Sequence, residues 1–448
     1  MEANVMRYFQ FLFILMLSGS FLFLTPWPAE ARRVREGDAV KIDFNPALEG
    51  GLPSITVRPL EGAKNFQGEY VIEYYAWEGS ELPLGSDTIS GKEEFVKELP
   101  HRDQKDILGV RITKKEKDRE PEKMAEWRAL YFPETGIMKY AGSPDLKRPD
   151  DFEEYWREAK EKLALVPMDP VIEPVPEKNT ETGNLYKVTL NSYWNLPIVC
   201  WYYVPKGVSM TPKATPSKKY PAIQLMPGWG AEEPPVDRTS EGYITLSVNP
   251  KSHGPTKEFF ETPIAHHLWN IDIPEDYYYR AAFMDCIRGI DFLSSRPEVD
   301  QDKIGVQGGS QGGAFALAMG ALDKRVDCVA ANVPYIVNFP DYSDISTLGS
   351  GYIFMEMAEK PGIGTRVKKT LSYIDIANLV PDIRVPTHVS VGLQDPVCPP
   401  LNGIVVINRI PDDVPKRLFI DKEAEHENSP AMNAKNRKWF REHIPPHS

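Results

Sequence analysis

Six residues, Gly308-Gly309-Ser310-Gln311-Gly312-Gly313, constrain the fold of this chain more than any others. They lie between an apolar, strand-like run, Lys303 to Val306, and a helical run, Ala314 to Met319. A G-x-S-x-G segment between a strand and a helix is typical of a nucleophile elbow, a sharp turn that exposes the serine hydroxyl. Side chains two positions before and after the serine must be tiny, because larger ones would collide across the turn. We therefore predict that Ser310 is a nucleophile; the alternative is a glycine-rich connection without chemistry.

Apolar strands alternate with helices in the second part of the chain. We predict strands at 186–190, 198–204, 222–226, 243–248, 303–306, 326–331 and 387–393, and helices near 276–295, 311–322, 400–410 and 430–443. This alternation indicates a mainly parallel sheet flanked by helices, which together with the elbow predicts the α/β-hydrolase fold. We place this domain at residues 144–446, with a first helix that an aspartate caps at Asp150-Asp151. Residues 335–375 form either a lid or an extra packed helix.

The first 140 residues show two other patterns. Residues 1–31 combine Arg7, an apolar run from Phe9 to Leu24 and the segment Ala29-Glu30-Ala31, which predicts a cleaved signal peptide. An uncleaved anchor is the alternative, and in both cases we expect an exported protein, periplasmic or extracellular. After cleavage we expect no stable membrane insertion. Residues 36–140 contain short alternating runs between turn residues, which predicts a small β-sandwich of the immunoglobulin-like kind.

Composition limits the partners and cofactors. The formal net charge is −12, and an acidic surface argues against nucleic acid and anionic lipid as partners. The sequence contains no C-x-x-C or H-E-x-x-H spacing, so we predict no metal site and no cofactor. Four cysteines, Cys200, Cys286, Cys328 and Cys398, permit disulfides, but the first three lie in apolar patterns typical of buried free thiols. A homo-oligomer is compatible with the sequence.

A nucleophilic serine needs a base, which in turn needs an acid to orient it. In an α/β-hydrolase these residues follow the serine in the order Asp or Glu, then His. Asp395 follows the apolar run 388–393, at a second strand end, and His426 lies between the run 417–420 and the last helix. We therefore predict that Ser310, Asp395 and His426 are catalytic. The alternatives are a turn aspartate and a surface histidine.

Two backbone N–H groups are candidates for stabilising an oxyanion. Gln311 begins the helix after Ser310, where the helix dipole favours negative charge. The segment Met226-Pro227-Gly228-Trp229-Gly230 follows an early strand, where the second donor of this fold is expected. We predict the N–H of Trp229 as this donor and its indole as part of the substrate pocket; a glycine turn with a packing tryptophan is the alternative.

Together these residues resemble the acetyl xylan esterase / cephalosporin-C deacetylase family, carbohydrate esterase family seven. The resemblance covers roughly Ser143 to Ile444. It rests on Pro149-Asp150-Asp151-Phe152 with Trp156, Tyr278-Tyr279-Arg280, Asp285, the runs 296–300, 304–313 and 391–400, and His426-Glu427. It implies a serine esterase without a cofactor that removes acetyl groups from xylan, xylo-oligosaccharide or a related acetylated carbohydrate, with the triad and oxyanion residues named above.

The sequence departs from this family at two places. The family normally has Arg-Gly-Gln after the strand that follows the oxyanion loop, where this chain reads Asn249-Pro250-Lys251-Ser252-His253-Gly254. Lys251 and His253 are candidates to replace that motif, and we predict that they bind substrate together with Trp229. Pro227 replaces the usual histidine of His-Gly-Tyr. Two alternatives stay open: a peptidase or dienelactone-type hydrolase, and a non-catalytic glycan-binding protein that retains the fold.

Overall fold

The computed structural model describes residues 137–210, 218–341, 357–395 and 397–447, together with seven strands of the preceding part of the chain. It divides into two compact units, Met1–Gly136 and Ile137–Ser448. The predicted signal peptide at 1–31 lies outside the described residues, and so does part of the segment predicted to be either a lid or an extra helix, residues 342–356. Among the residues described, no helix is both long and apolar enough to cross a membrane.

The first unit contains two antiparallel sheets. Strands β1 (Val40–Asn45), β2 (Ser54–Pro59) and β5 (Phe95–Glu98) form a three-stranded sheet in the order β1-β2-β5. Strands β3 (Glu69–Ala76), β4 (Gly85–Ser90), β6 (Asp106–Lys115) and β7 (Glu122–Tyr131) form a four-stranded sheet in the order β4-β3-β6-β7. Two small antiparallel sheets are the components of the predicted β-sandwich-like domain; the immunoglobulin-like kind stays a prediction.

The second unit is built on one sheet of nine strands. These are β8 (Val171–Pro174), β9 (Gly183–Ser192), β10 (Leu196–Pro205), β11 (Tyr220–Met226), β12 (Ile244–Asn249), β13 (Val299–Gly309), β14 (Cys328–Asn332), β15 (Thr387–Gly392) and β16 (Lys416–Asp421). Their order is β16-β15-β14-β13-β11-β12-β10-β9-β8. The five neighbouring pairs of the part β16-β15-β14-β13-β11-β12 are parallel. The three pairs of the part β12-β10-β9-β8 are antiparallel.

Helices accompany this sheet. They are α1 (Phe152–Ala164), α2 (Tyr278–Ser295), α3 (Gln311–Leu322), α4 (Gly364–Ile374), α5 (Ile376–Leu379), α6 (Pro400–Arg409) and α7 (Pro430–His443). Helices α2 and α3 pack against β13, and α6 and α7 pack against β16. The prediction of a mainly parallel sheet flanked by helices, the α/β-hydrolase fold, is confirmed.

Burial follows from this layering. Every residue of β12, β14 and β15 is buried, as expected for parallel strands that helices cover. Helix α1 buries one stripe, formed by Phe152, Tyr155, Trp156, Ala159 and Leu163. None of the four cysteines forms a disulfide, and none has any exposed surface. The core is therefore held by apolar packing rather than by disulfides.

The start of α1 differs from the expected cap. Asp151 occupies the position before the helix, but its side chain makes no capping hydrogen bond. Its carboxylate instead accepts hydrogen bonds from the Tyr373 hydroxyl at 2.5 Å and from the Lys369 ammonium at 3.0 Å. Asp151 thus ties the start of α1 to α4, because two donors of α4 compete successfully with the backbone N–H groups of α1.

Candidate active site

Ser310 lies in the strained turn between β13 and α3. Its φ of 59° and ψ of −121° are a conformation that residues other than glycine rarely adopt. The Ser310 N–H donates to the Asn332 carbonyl at 3.0 Å, and the Ser310 carbonyl accepts from the Ala314 N–H at 3.0 Å. Strain of this kind persists only where the surrounding structure imposes it, and it is concentrated at functional sites.

The glycines around Ser310 are required by close backbone contacts. A Cβ atom on Gly308 would lie 2.3 Å from the carbonyl carbon and oxygen of Gly312. A Cβ atom on Gly312 would lie 2.2 Å from the carbonyl oxygen of Met226. No side chain fits at such distances, so only glycine allows this turn. The second contact also shows that the carboxyl end of β11 touches the elbow.

Three side chains form a continuous hydrogen-bonded row. The His426 Nε2 lies 2.9 Å from the Ser310 Oγ, and the His426 Nδ1 lies 2.8 Å from the Asp395 Oδ2. The other carboxylate oxygen of Asp395 accepts from the backbone N–H groups of Val397 and Cys398, both at 2.8 Å. Asp395 is therefore held on both oxygens, and its remaining contact orients the imidazole.

These three residues come from the same edge of the sheet. Ser310 follows β13, Asp395 follows β15 and His426 follows β16, and these strands run in the same direction. The carboxyl ends of parallel strands meet at one edge, where ligands bind in open α/β sheets. The structure thus brings together the three residues that the sequence predicted as catalytic.

Opposing influences act on the pKa of His426. Burial, the largest of them, would lower this pKa, but Asp395 and Cys398 together outweigh burial through their charges and hydrogen bonds and raise it well above its usual value. The His426 side chain keeps 27% of its surface exposed, whereas the Asp395 side chain has none. The ring is therefore accessible to a substrate and strongly basic.

The two predicted oxyanion residues lie beside the elbow. Gln311 is the first residue of α3, and N–H groups in the first turn of a helix have no partner within that helix. The backbone of Met226 and Pro227 lies against Gly312, which brings the following Trp229 to the same place. Trp229 is half-buried; its indole Nε1–H donates to the His267 Nδ1 at 3.2 Å, and its ring lies 5.3 Å from that of His266.

Lys251 and His253 have no exposed surface, so the predicted substrate contacts are not seen. The Lys251 ammonium lies 2.6 Å from the Asp285 Oδ1, and the Lys251 N–H donates to the Asp285 Oδ2 at 3.0 Å. The His253 Nε2 lies 2.9 Å from the Gln311 Nε2. Both side chains therefore lie behind the site, because Asp285 and Gln311 attract them inward. Trp229 stays the predicted substrate-facing residue.

The sequence did not reveal the partners of the Gln311 side chain. The Gln311 Oε1 accepts from the Tyr279 hydroxyl at 2.8 Å and from the His266 Nε2 at 3.1 Å. In the sequence, Tyr279 is part of the motif Tyr278-Tyr279-Arg280, and His266 precedes Ser310 by 44 positions, so nothing local connects either residue with Gln311. A buried side-chain amide needs hydrogen-bond partners, and this requirement is the reason to expect polar side chains around Gln311.

The histidines in this cluster are neutral. Burial lowers the pKa of His253 and of His267 to about 4, and burial lowers the pKa of His266 well below its usual value. Within the described ranges, no group of three or more His, Cys, Asp or Glu side chains could hold a metal ion. The cluster is therefore an uncharged hydrogen-bonded assembly behind the serine.

Known proteins are similar to this chain in sequence and in fold. A family described as acetyl xylan esterase (AXE1) matches residues 129–443. Acetyl esterase Axe7A of Xylanibacter ruminicola is 27% identical over 326 residues, which are 68% of this chain and 71% of the relative. The structure of acetyl xylan esterase from Paenibacillus sp. R4 has a TM-score of 0.62 at 26% identity, and covers 70% of this chain and 100% of its own.

A second solved structure supports the fold alone. Acetyl xylan esterase 1 from Thermoanaerobacterium sp. JW/SL YS485 has a TM-score of 0.60 at 22% identity. The similarity covers 68% of this chain and 97% of that protein. In each of the two structural matches, the other protein is covered almost from end to end, whereas about 30% of this chain lies outside the match.

Proposed function

This chain belongs to the acetyl xylan esterase family, and on that premise we propose that it is an exported serine esterase that deacetylates carbohydrate through an acyl-enzyme. Family membership makes the chain a carboxylic ester hydrolase. The observation that carries the mechanism is the row Ser310–His426–Asp395, with distances of 2.9 and 2.8 Å, behind a serine at a φ of 59°. The signal-like segment at 1–31 supports export.

The first half of the reaction forms an acetyl-serine. The Ser310 Oγ attacks the acetyl carbonyl carbon while its proton passes to the His426 Nε2. Asp395 keeps the Nδ1–H tautomer of His426 in place and stabilises the imidazolium that forms. The bond from the carbonyl carbon to the sugar oxygen then breaks, and His426 returns the proton to that oxygen. The deacetylated sugar leaves with a free hydroxyl.

The second half releases acetate. Water attacks the acetyl carbonyl carbon while His426 accepts a proton from it, and the proton then passes to the Ser310 Oγ as the acyl bond breaks. In both halves the carbonyl oxygen becomes negatively charged. We assign the backbone N–H groups of Gln311 and Trp229 to stabilise it, and one such donor contributes about 2.7–4 kcal/mol to lowering the barrier.

The test uses the full chain without its leader, a Ser310→Ala variant and a matched Ser372→Ala control. Ser372 lies on α4 and its exposed hydroxyl donates to the Lys369 carbonyl. Each protein is incubated with 4-nitrophenyl acetate and with acetylated xylan, and released nitrophenol and acetate are measured. We expect Ser310→Ala to lose at least about a thousandfold in rate on both, and the control to keep its rate.

The outcomes separate the mechanism from the substrate. Turnover by Ser310→Ala at more than a few per cent of the unmodified rate would contradict the proposed nucleophile. Serine-dependent release of nitrophenol without release of acetate from xylan would keep the mechanism and direct the search to acetylated oligosaccharides. A peptide substrate cleaved faster than either ester would replace the esterase proposal by a peptidase.

A further inference from the structure

We propose that Lys251-Ser252-His253 takes the place of the Arg-Gly-Gln motif, and that His253 is a positioning residue that orients Gln311 for oxyanion stabilisation. The proposal rests on the proposed function, because it assumes that Gln311 supplies an oxyanion N–H. The segment 251–253, in which the sequence departs from the family, then affects catalysis indirectly and does not contact the substrate.

Ser252 has a backbone conformation that favours glycine. Its φ is 63°, in the left-handed region that glycine adopts at no steric cost. The Ser252 N–H donates to the Phe260 carbonyl at 3.2 Å, and the Ser252 Oγ accepts from the Thr262 N–H at 3.0 Å. These bonds compensate a serine for a conformation that side chains other than glycine rarely adopt. These two hydrogen bonds therefore hold the turn that positions Lys251 and His253 on either side of Ser252.

Lys251 anchors this turn in the core. Asp285 accepts from the Lys251 ammonium at 2.6 Å, from the Lys251 N–H at 3.0 Å and from the Ser192 hydroxyl at 2.6 Å. The Lys251 carbonyl in turn accepts from the Tyr278 hydroxyl at 2.7 Å. Side chain, N–H and carbonyl of Lys251 are therefore all held, and the position of the next residues is defined by α2, which carries both Asp285 and Tyr278.

The hydrogen bonds of His253 determine its tautomer. Its Nδ1 lies 3.0 Å from the Lys251 carbonyl, an oxygen that can only accept, so the proton is on Nδ1. The Nε2 is then an acceptor, and it lies 2.9 Å from the Gln311 Nε2, which can only donate. Burial, which lowers the pKa of His253 to about 4, keeps this arrangement at neutral pH. Protonation would place two donors against each other.

Gln311 is held from both ends of its amide. His253 accepts from its nitrogen, while Tyr279 and His266 donate to its oxygen at 2.8 and 3.1 Å. Its side chain has no exposed surface and so cannot exchange these partners for water. Because Gln311 directly follows Ser310, a locked side chain restricts the peptide whose N–H faces the reacting carbonyl. A misplacement of about 1 Å can cost a hundredfold in rate.

The same cluster reaches the second oxyanion residue. The Trp229 ring lies 5.3 Å from the ring of His266, and the rings of His253 and His266 lie 4.9 Å apart. His253 thus contacts Gln311 directly and Trp229 through one intervening ring. Loss of the His253 acceptor is expected to disturb the Gln311 N–H most, because that side chain loses a hydrogen bond inside the core.

The experiment compares His253→Phe with a matched control, His388→Phe. His388 is equally buried, but it lies in β15, where its Nε2 contacts the Ser390 hydroxyl. Functional sites are counted by titration with diethyl 4-nitrophenyl phosphate. The kcat and KM per site for 4-nitrophenyl acetate and the inhibition constant of phenylboronic acid, which forms a tetrahedral adduct, are then measured.

We expect His253→Phe to lower kcat per site by 10- to 100-fold with KM changed by less than threefold. The boronic acid should bind weaker by a similar factor, because its adduct uses the same N–H groups. The control should keep kcat per site within threefold. His253→Gln, which restores an acceptor and the family's residue, should recover most of the rate. A structural role alone would lower the number of sites and leave kcat per site and inhibitor binding unchanged, which would overturn the proposal.

A second variant covers the case in which His253→Phe does not fold. Tyr279→Phe removes only the hydroxyl that donates to the Gln311 Oε1. We expect a three- to tenfold loss in both kcat per site and boronic acid affinity, and unchanged values would overturn the proposal. Ser310→Ala in the same assay tests the proposed function separately: turnover by that variant would reject the nucleophile, whatever His253 does.

Discussion

The buried ion pair between Lys251 and Asp285 allows a quantitative test of the packing behind the site. The two charged atoms lie 2.6 Å apart, and neither side chain has any exposed surface. Asp285 also accepts from the Ser192 hydroxyl and the Lys251 N–H. Burial lowers the pKa of Lys251, while the charge of Asp285 opposes this change. Lys251→Met keeps the length of the side chain and leaves the carboxylate without its counter-charge.

We expect Lys251→Met to lower the free energy of unfolding by about 3–5 kcal/mol, the range for a buried pair that loses one partner. With an unfolding entropy of about 2.1 cal/mol/K per residue, the unit Ile137–Ser448 should then melt about 5–8 °C lower. The double variant Lys251→Met/Asp285→Asn should be more stable than Lys251→Met by about 2 kcal/mol or more. The second substitution removes the uncompensated charge and keeps a group that can accept a hydrogen bond.

The control is an ion pair of the same length on the surface. Lys368 and Glu359 lie 2.6 Å apart, with 56% and 69% of their side-chain surfaces exposed. Lys368→Met should cost less than about 1 kcal/mol. Unfolding of the full chain in urea is monitored by measuring the reversible loss of esterase activity. This signal reports on the catalytic unit alone. The reasoning would be refuted by equal costs for the two lysine variants, or by a double variant no more stable than Lys251→Met.

Gly308→Ala should lower esterase activity per milligram by at least about a hundredfold, because its Cβ would lie 2.3 Å from the Gly312 carbonyl; near-normal activity would contradict the elbow geometry. The kcat/KM should increase with pH, with the midpoint of the increase above pH 6.5, because the proposed base is neutral His426 and Asp395 and Cys398 raise its pKa; a midpoint below 6.5 would argue against this assignment. Asp395→Asn should lower kcat by about ten-thousandfold, measured in the same profile. His388 has its pKa lowered by burial to about 4, so the unfolded chain binds its proton first and stability is lost below pH 6.5, by about 2 kcal/mol at pH 5. His388→Gln should remove this share of the difference in unfolding free energy between pH 7 and pH 5, and an unchanged difference would show that His388 does not contribute.

The residues of the triad could be chosen from the sequence because their signals are local. Ser310 has glycines on both sides, and Asp395 follows a continuous apolar run that ends at the site edge of the sheet. His426 is the histidine that follows both residues in a fitting position. Chain order and strand ends were therefore enough to select the residues that the structure brings within hydrogen-bond distance.

The role of the 249–254 segment could not be read in the same way. The sequence shows that Lys251 and His253 are polar and lie after a strand, but not on which side of the loop they point. That direction depends on Asp285 and Tyr278, which are contributed by α2 some 30 residues later. The polar side chains of Lys251 and His253 suggested contact with substrate, but packing against residues distant in sequence buries them.

The edge strands of the sheet were also difficult to predict from the sequence. The strand β8 has four residues, ends in a proline and is mostly exposed, so its pattern resembled a loop. The strand β16 is only half-buried along its length and was seen as an apolar run without being assigned to the sheet. Central strands were predicted well because burial on both faces leaves a continuous apolar run.

The four buried cysteines, which form no disulfide, can report how often the core of this chain opens. Cys200 lies on β10, Cys286 on α2, Cys328 on β14 and Cys398 just before α6. A thiol reagent in the solvent reaches none of them in the closed molecule and reacts only when the segment around each one opens. Burial also raises the pKa of Cys200, Cys286 and Cys328, which suppresses the reactive thiolate. The labelling rates of the four cysteines, measured by mass spectrometry of peptides, therefore report how often four different places in the sheet and its helices open. No additional cysteine has to be introduced by mutation.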